Sequence, residues 1–275
     1  MTSAELLFLC LARDCEDTLP HFFSFLDRLE DHGLMCRAII GENGSRDRTR
    51  KLIQSAVARR VALFDMSAMS ARASRLERMA TGRQALLDAL RLKSRTEDFV
   101  CVADMDNVMI APPAPASVEA AIQRLRADAS LFAVAATSAP FFYDLLALRL
   151  PGHDYAGLNA EIAAAKKNPF TYFEFHRTRI YRNQCLMTRP EPILCESSFN
   201  GLCIYNSVDY RLGDYRAPNE ADVSEHVSMN LSISRKTGKR MLIAPDLVIK
   251  APADHEPVGF FRFWTDRARK LLPLN

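Results

Sequence analysis

Glycine and proline are scarce, at 10 and 14 of 275 residues, and tryptophan occurs once. That composition excludes collagen-like and low-complexity chains. Charge of neither sign accumulates: 36 Lys and Arg against 33 Asp and Glu leave +3, with no long basic run. Charge therefore gives no reason to expect a nucleic-acid partner. No apolar run is long enough to cross a bilayer. The first, Leu6 to Ala12, is short and follows Glu5 rather than a basic stretch, so it reads as a buried strand and not as a signal peptide. The seven cysteines form no CxxC pair and their number is odd, which argues against a zinc ribbon or a thioredoxin-type motif. Several sit inside apolar runs, where a thiol acts as a small hydrophobe; a reducing, cytoplasmic compartment is expected. What the chain does have is core material. With 16 Phe and 7 Tyr, and 48% hydrophobic residues, disorder is excluded as the main state, and a chain this long can bury a large core without staples.

Strand and helix patterns alternate along the first half. Leu6–Ala12, Cys36–Ile40, Val61–Phe64 and Phe99–Ala103 are short apolar runs, and Leu131–Ala136 is a fifth. Between them, helical spacing appears over Thr18–Glu30, around Leu52, Ile53, Ala56 and Val57, and over roughly Ala73–Lys93. One more helix is expected after Pro112-Pro113-Ala114-Pro115. Strands that are apolar throughout predict a mostly parallel α/β sheet covered by helices on both faces. Ligands bind such sheets beyond the carboxyl ends of the strands. The loops around Arg13, Glu42, Asp65 and Asp104 should therefore converge. The second half is less regular and richer in aromatics. With no visible repeat or long linker, residues 1–258 read as one domain with halves of about 1–112 and 113–258, followed by a tail over 259–275.

The sharpest local feature is Ala103-Asp104-Met105-Asp106-Asn107 at the end of a buried strand. Residues two apart in an extended segment point the same way. Two carboxylates so placed repel one another unless a cation lies between them. Mg²⁺ or Mn²⁺ would suit, since such ions also bind substrate phosphates. The plain alternative is a loop holding two exposed acids. A second alternative is enzymatic: Val102 to Ile110 resembles the first motif of haloacid-dehalogenase-type phosphatases, with Asp104 as nucleophile and Asp106 as general acid. That motif belongs on a first strand, whereas three candidate strands precede it here.

Arg72, Arg75, Arg78 and Arg83 lie in or beside the helix before the carboxylates. Arg83 shares a face with Leu76, Met79, Leu86, Leu87 and Leu90. A cation within an apolar stripe needs an anion. A protein carboxylate and a donor phosphate are both candidates.

Together these segments resemble a family. Glu42-Asn43-Gly44-Ser45-Arg46-Asp47-Arg48-Thr49 is similar to the E/D-x-G-S-x-D-x-T signature of GT-A glycosyltransferases, and the acid pair to their DxD motif. Arg75–Ala80 with Arg83, Tyr143–Arg149, Phe199–Tyr205, and Cys195-Glu196 with Glu225-His226 resemble the fungal capsule-associated α-mannosyltransferase family and its bacterial relatives, from about Leu7 to Ile249. The resemblance implies a GT-A, Rossmann-like fold with a nucleotide-binding first half and an acceptor-binding second half, and a metal-dependent hexosyltransferase using Mn²⁺ or Mg²⁺; inversion and retention both stay open, and the resemblance leans to retention. It implies a GDP- or UDP-sugar donor and a glycan or lipid-linked acceptor in capsule or envelope polysaccharide synthesis. Donor contacts are implied at Ala12, Arg13, Glu42, Asn43, Ser45, Arg75, Arg78, Arg83 and Asp104. Arg13 and Glu42 would lie by the nucleoside, and Arg83 would face the diphosphate. Tyr143, Asp144, Arg149, Asn200 and Gly201 would border sugar and acceptor. Asp104, Asp106 and His255 would be metal ligands.

Glu225 and His226 fall where many such enzymes carry an acid pair with the catalytic base; His226 is then a base, an acceptor contact or a metal ligand, or else an ordinary helix-face histidine. His255 has the alternative of a plain loop histidine. Two departures stand out. Leu146 occupies a position where relatives often have a larger aromatic, and the fungal members carry a membrane anchor that no run here is long enough to match. A catalytically silent sugar-nucleotide-binding protein is the non-enzyme alternative.

In the tail, Gly259–Leu272 is amphipathic: Phe260, Phe261, Trp264, Ala268, Leu271 and Leu272 oppose Arg262, Arg269 and Lys270, while Arg267 flanks the apolar side. This fits a helix docking on an anionic membrane at the inner face, or one closing the protein's own core.

Overall fold

A computed structural model describes residues 4–57, 60–67, 69, 75–94, 97–153, 155–216 and 224–271. Arg72 and Leu272 lie outside them. The first half runs β1 (Glu5–Ala12), α1 (Leu19–Asp31), β2 (Met35–Glu42), α2 (Thr49–Ala56), β3 (Val61–Asp65), α3 (Arg75–Arg91), β4 (Phe99–Asp104), α4 (Pro115–Ala127) and β5 (Leu131–Ala139). The second continues with α5 (Leu158–Ala165), α6 (Pro169–Phe175), a π-helical turn His176–Tyr181, α7 (Arg182–Leu186), β6 (Ile193–Cys195), β7 (Leu202–Asn206), α8 (Ser207–Tyr210), α9 (Glu225–Thr237), β8 (Arg240–Lys250) and α10 (Phe260–Leu271).

Eight strands form one sheet in the order β3-β2-β1-β4-β7-β5-β8-β6. The β1–β2, β2–β3, β1–β4 and β5–β8 pairs are parallel. β7 is antiparallel to both β4 and β5, and β6 to β8. The expected mostly parallel α/β sheet is present, and it runs unbroken across the boundary expected near residue 112.

Period-two alternation explains why both faces are covered. Leu6, Phe8 and Cys10 of β1 enter one core with Phe22 and Phe25 of α1 and Ile53 of α2. Leu7 and Leu9 enter the other, with Leu86, Leu87 and Leu90 of α3 and Ile233 of α9. Pro20 sits in the first turn of α1, where its missing N–H costs nothing.

The register lines up the functional edge. Ala12 pairs with Glu42, Glu42 with Asp65, and Leu11 with Asp104. The carboxyl ends of β1 to β4 therefore share one rim, as the alternation implied. Because β7 is antiparallel, its beginning also reaches that rim: Leu202 pairs with Ala103.

The tail is a helix, and it closes against the chain. Phe263 is fully buried, with ring centroids 5.3 Å from Tyr172, 5.2 Å from Phe173 and 5.0 Å from His176. Phe263 was absent from the apolar face read off the sequence, yet it is the anchor. Phe260 and Phe261 stay exposed, Phe261 at 84%. Among the described residues, no helix is long and apolar enough to cross a membrane.

Candidate functional site

The loops after β1 and β2 are laced together. Asp14 N–H donates to Ser45 Oγ (3.1 Å), Arg46 N–H to Asp14 Oδ1 (2.7 Å), Cys15 N–H to Thr49 Oγ1 (2.7 Å) and Asn43 N–H to Ala12 O (3.1 Å). Glu42 is fully buried. Its Oε1 accepts from Ser45 N (2.5 Å) and its Oε2 from Arg50 Nη1 (2.7 Å), while Arg50 also pairs with Asp65 at 2.6 Å. The turn signature thus commits Glu42 and Ser45 to loop geometry. Asn43 Oδ1, by contrast, is buried without a hydrogen-bond partner. Arg13 is ion-paired to Asp14 at 3.7 Å.

At the end of β4, Asp104 and Asp106 behave differently. Asp104 is half-buried and accepts from Arg83 Nη2 at 2.7 Å. Asp106 is exposed, and its Oδ1 caps the following 3₁₀ turn by accepting from Val108 N at 3.2 Å. Burial raises the Asp104 pKa to about 7; Arg83 opposes the rise, and Asp106, Glu225 and Asp144 add to it. Asp144 is raised to about 6, again mainly by burial.

Arg83 answers the question that its helix posed. Its Nε donates to Glu225 Oε1 at 3.1 Å, so one buried guanidinium bridges Asp104 and Glu225. Burial works against its charge, but the two carboxylates outweigh that and raise its pKa. The cation also lies over the Phe199 ring, 5.2 Å from the centroid. His226 stacks on the same ring at 3.5 Å and 11°. Burial, then the Arg83 charge, pushes the His226 pKa well down. Neutral and buried, it has both ring nitrogens without a hydrogen-bond partner, Nε2 lying 3.6 Å from Glu225 Oε1.

The Asn200-Gly201 turn positions the adjacent wall. Asn200 is buried at φ 51°, and its Oδ1 accepts from Asp144 N (3.2 Å) and Ser138 Oγ (3.3 Å). Gly201, at φ 81°, accepts from Asp104 N at 3.0 Å. A Cβ there would stand 2.6 Å from the Tyr143 hydroxyl and 2.9 Å from Ile249. Gly201→Ala is therefore expected to cost roughly 2 kcal/mol through backbone strain and this clash. Urea denaturation measures the loss, and an unchanged midpoint would show that the turn relaxes freely.

A cavity of about 1420 Å³ opens on these groups. It brings together Arg75, Arg83, Asp104, Asp106, Tyr143, Asp144, Glu225, His226 and His255. Ala12, Arg13, Glu42, Asn43, Ser45, Arg78, Arg149, Asn200 and Gly201 do not line it. Arg149 turns its Nη1 back to the Leu148 carbonyl at 2.7 Å, and its backbone N–H donates to Ser197. His255 is exposed, its ring 5.3 Å from Tyr143. Among the described residues no three His, Cys, Asp or Glu side chains gather closely enough to hold an ion alone.

Sequence reasoning missed the opposite wall of the cavity. Tyr172, His176, Tyr181, Gln184, Trp264 and Arg267 line it. His176 and Tyr181 bracket the π turn, whose i→i+5 bonding sets their rings 5.7 Å apart on one side. No residue pattern announces such a turn; the aromatic density of 170–181 was the only signal.

Burial, followed by the Arg267 and Lys166 charges, holds the His176 pKa down at about 4 against an ordinary 6.5. The rings of Tyr172, Tyr181 and Phe263 complete its surroundings. The unfolded chain takes up this proton near pH 6.5 and the folded chain only near 4. Stability from this group is thus complete above 6.5 and is lost as pH falls toward 4. His176→Phe should flatten part of that acid limb in urea melts across the window. His226, also held neutral, retains a slope of the same sign.

The mixed sheet with its loops gathered at one rim defines a GT-A-type architecture. In particular, the chain is similar to the mannosyltransferase PcManGT from Pyrobaculum calidifontis, solved with GDP-Man and Mn²⁺: 16% identity, TM-score 0.52, covering 98% of this chain and 61% of that one. The chain thus spans about three fifths of that protein, and at this identity the likeness is one of fold. It is also similar to glucosyl-3-phosphoglycerate synthase from Mycobacterium tuberculosis, solved with Mn²⁺, UDP and phosphoglyceric acid, at 16% identity and TM-score 0.47 over 98% and 76% of the two chains. No family model matches the sequence, and no curated protein does. The dehalogenase-type reading is not favoured: Asp104 ends the fourth strand, between β1 and the antiparallel β7.

Proposed function

We propose that this protein is a metal-dependent glycosyltransferase that moves a hexosyl group from a GDP- or UDP-sugar to a hydroxyl acceptor. One observation carries the reading: Asp104 and Asp106 end a buried strand on the rim shared with the β1 and β2 loops, at the mouth of a large cavity. The donor set fits a hard divalent cation. Asp104, Asp106, Asp144 and Glu225 influence one another's wall of the cavity while Arg83 supplies one buried positive charge. Burial, with these neighbouring carboxylates adding to it, raises Asp104 and Asp144, and the negative excess favours a second cation. Asp104 and Asp106 would hold Mn²⁺ or Mg²⁺, with diphosphate and water oxygens completing the shell. Such an ion neutralises charge developing on a diphosphate leaving group.

In transfer, the bond between the anomeric carbon and the diphosphate oxygen breaks, its electron pair leaving with the nucleotide. The acceptor oxygen forms the new glycosidic bond and gives up its proton. Arg83 sets the field at the leaving-group end through Asp104. The loop after β2 that carries Asn43 borders the nucleoside. Tyr143 and Asp144, held by the Asn200-Gly201 turn, border the sugar. Neutral His226 and Glu225 stand at the reacting face, where His226, a weak base, orients the acceptor hydroxyl rather than taking its proton. The resemblance to capsule-associated mannosyltransferases supports mannose as the sugar, retention at the anomeric carbon, and a glycan or lipid-linked acceptor in envelope polysaccharide synthesis. The exposed Phe260 and Phe261 with Arg269 support peripheral contact with an anionic membrane.

A thermal-shift panel of UDP- and GDP-sugars, with and without Mn²⁺, tests the reading. The donor should raise Tm only when the metal is present. If no nucleotide sugar shifts Tm in either condition, the reading fails.

A further inference from the structure

The cavity lining extends beyond the carboxylates to a second group of residues with its own chemistry. Arg267 lies half-buried there. Its guanidinium is 3.3 Å from the Phe263 centroid and 5.1 Å from that of Tyr172, and it donates to Phe263 O at 3.2 Å. Its Nη2 is 3.3 Å from His176 Nε2. His176 is kept neutral, so it does not repel the cation and does not compensate it either. Among the described residues no carboxylate lies within ion-pair distance of Arg267 or of Lys166, which stands at the same wall. The nearby acid on α10, Asp266, is engaged by Arg262 at 3.5 Å and Arg269 at 4.0 Å.

In the same cavity lining, Gln184 is 2% exposed and its side-chain Oε1 has no hydrogen-bond partner. A buried amide oxygen left open costs free energy unless a donor reaches it. Tyr172 and Trp264, also in the lining, meet edge to face at 6.2 Å and supply apolar surface, Tyr172 lying under the Arg267 guanidinium.

We propose that this wall binds the acceptor, and that the acceptor is a hydroxylated oxyanion: a polyol or sugar bearing a phosphate ester or a carboxylate. Arg267 and Lys166 take the anionic oxygens, since two cations without acids attract such a group strongly. Gln184 Oε1 accepts a hydroxyl of the same molecule. A CH face packs on Tyr172 and Trp264. The proposal rests on the glycosyltransferase reading for the word acceptor, but the oxyanion site itself can be measured without donor or turnover.

The chain's only tryptophan stands in this wall and reports on it. Fluorescence of the full-length protein is titrated with glycerol phosphate, with glucuronate and with glucose, without nucleotide. A saturable change is expected with one or both anions and not with glucose; the stronger anion distinguishes phosphate ester from carboxylate. Lys166→Gln, at an exposed position, should weaken binding about threefold, and Arg267→Gln about tenfold or more. Gln184→Met, which leaves both cations in place, checks the hydroxyl contact should Arg267→Gln unseat α10. Absence of saturation with both anions, or an equal response to glucose, overturns the proposal. The titration is then repeated with UDP or GDP and Mn²⁺ bound. Simultaneous binding is expected; competition would show that the wall holds the donor diphosphate and would overturn the acceptor assignment. If no nucleotide binds, the donor reading fails while the anion result stands on its own.

Discussion

Asp106→Ala is expected to eliminate metal-dependent nucleotide binding and with it transfer, while leaving the fold intact. The side chain is exposed and, among the described residues, its one hydrogen bond caps a single 3₁₀ turn, so its loss should cost about 1 kcal/mol of stability. Its effect on the ion is much larger, because Arg83 pairs with Asp104 and, among the described residues, no arginine pairs with Asp106. Isothermal titration with Mn²⁺ and UDP or GDP reads the first effect, and a urea melt reads the second. Wild-type nucleotide affinity in the variant, or in EDTA, would contradict the proposed site.

Arg83→Met is expected to produce the opposite profile, a protein whose stability fails first. Arg83 is 3% exposed and bridges two carboxylates. Removing one partner of a buried ion pair leaves uncompensated charge and costs about 3–5 kcal/mol. Adding Glu225→Gln to the variant should restore part of that loss, since it removes one of the two stranded charges. Denaturation of the single and double variants measures both values. If Arg83→Met melts like wild type and only nucleotide binding weakens, the arginine serves the donor and not the frame.

These two residues show what a sequence can and cannot disclose. Asp104 and Asp106 were legible because a buried strand followed by two acids is a local pattern, and strand ends face ligands in parallel sheets. The stripe on α3 likewise announced that Arg83 needs an anion. It could not say which, because Glu225 lies 142 residues away. Strands β1 to β5 were legible from short apolar runs, with the Cys36–Ile40 strand longer at both ends than its apolar run. The reversed direction of β7 was not, since an apolar strand reads the same in either sense and its neighbours are chosen by tertiary packing. Likewise, the tail's periodicity showed an amphipathic helix but misassigned its inner side. Phe263 is buried because Tyr172 and Phe173 face it, a fact set by another part of the chain.

The antiparallel β7 has a consequence for how the protein is made. As the chain leaves the ribosome, β1 to β4 and their helices can assemble from contacts between near neighbours, and Arg83 meets Asp104 only 21 residues on. The free side of β4, with Val100, Cys101 and Val102, then stays open until β7 emerges much later. Domains build from the amino terminus at the pace of translation, and an unpaired apolar edge is a template for wrong partners. The nascent protein therefore carries an open apolar edge beside the future rim of its cavity, for as long as residues 105–201 take to appear. Slowed synthesis of that stretch should raise the aggregated fraction, and substitutions that weaken β7 should do the same even where the finished fold tolerates them.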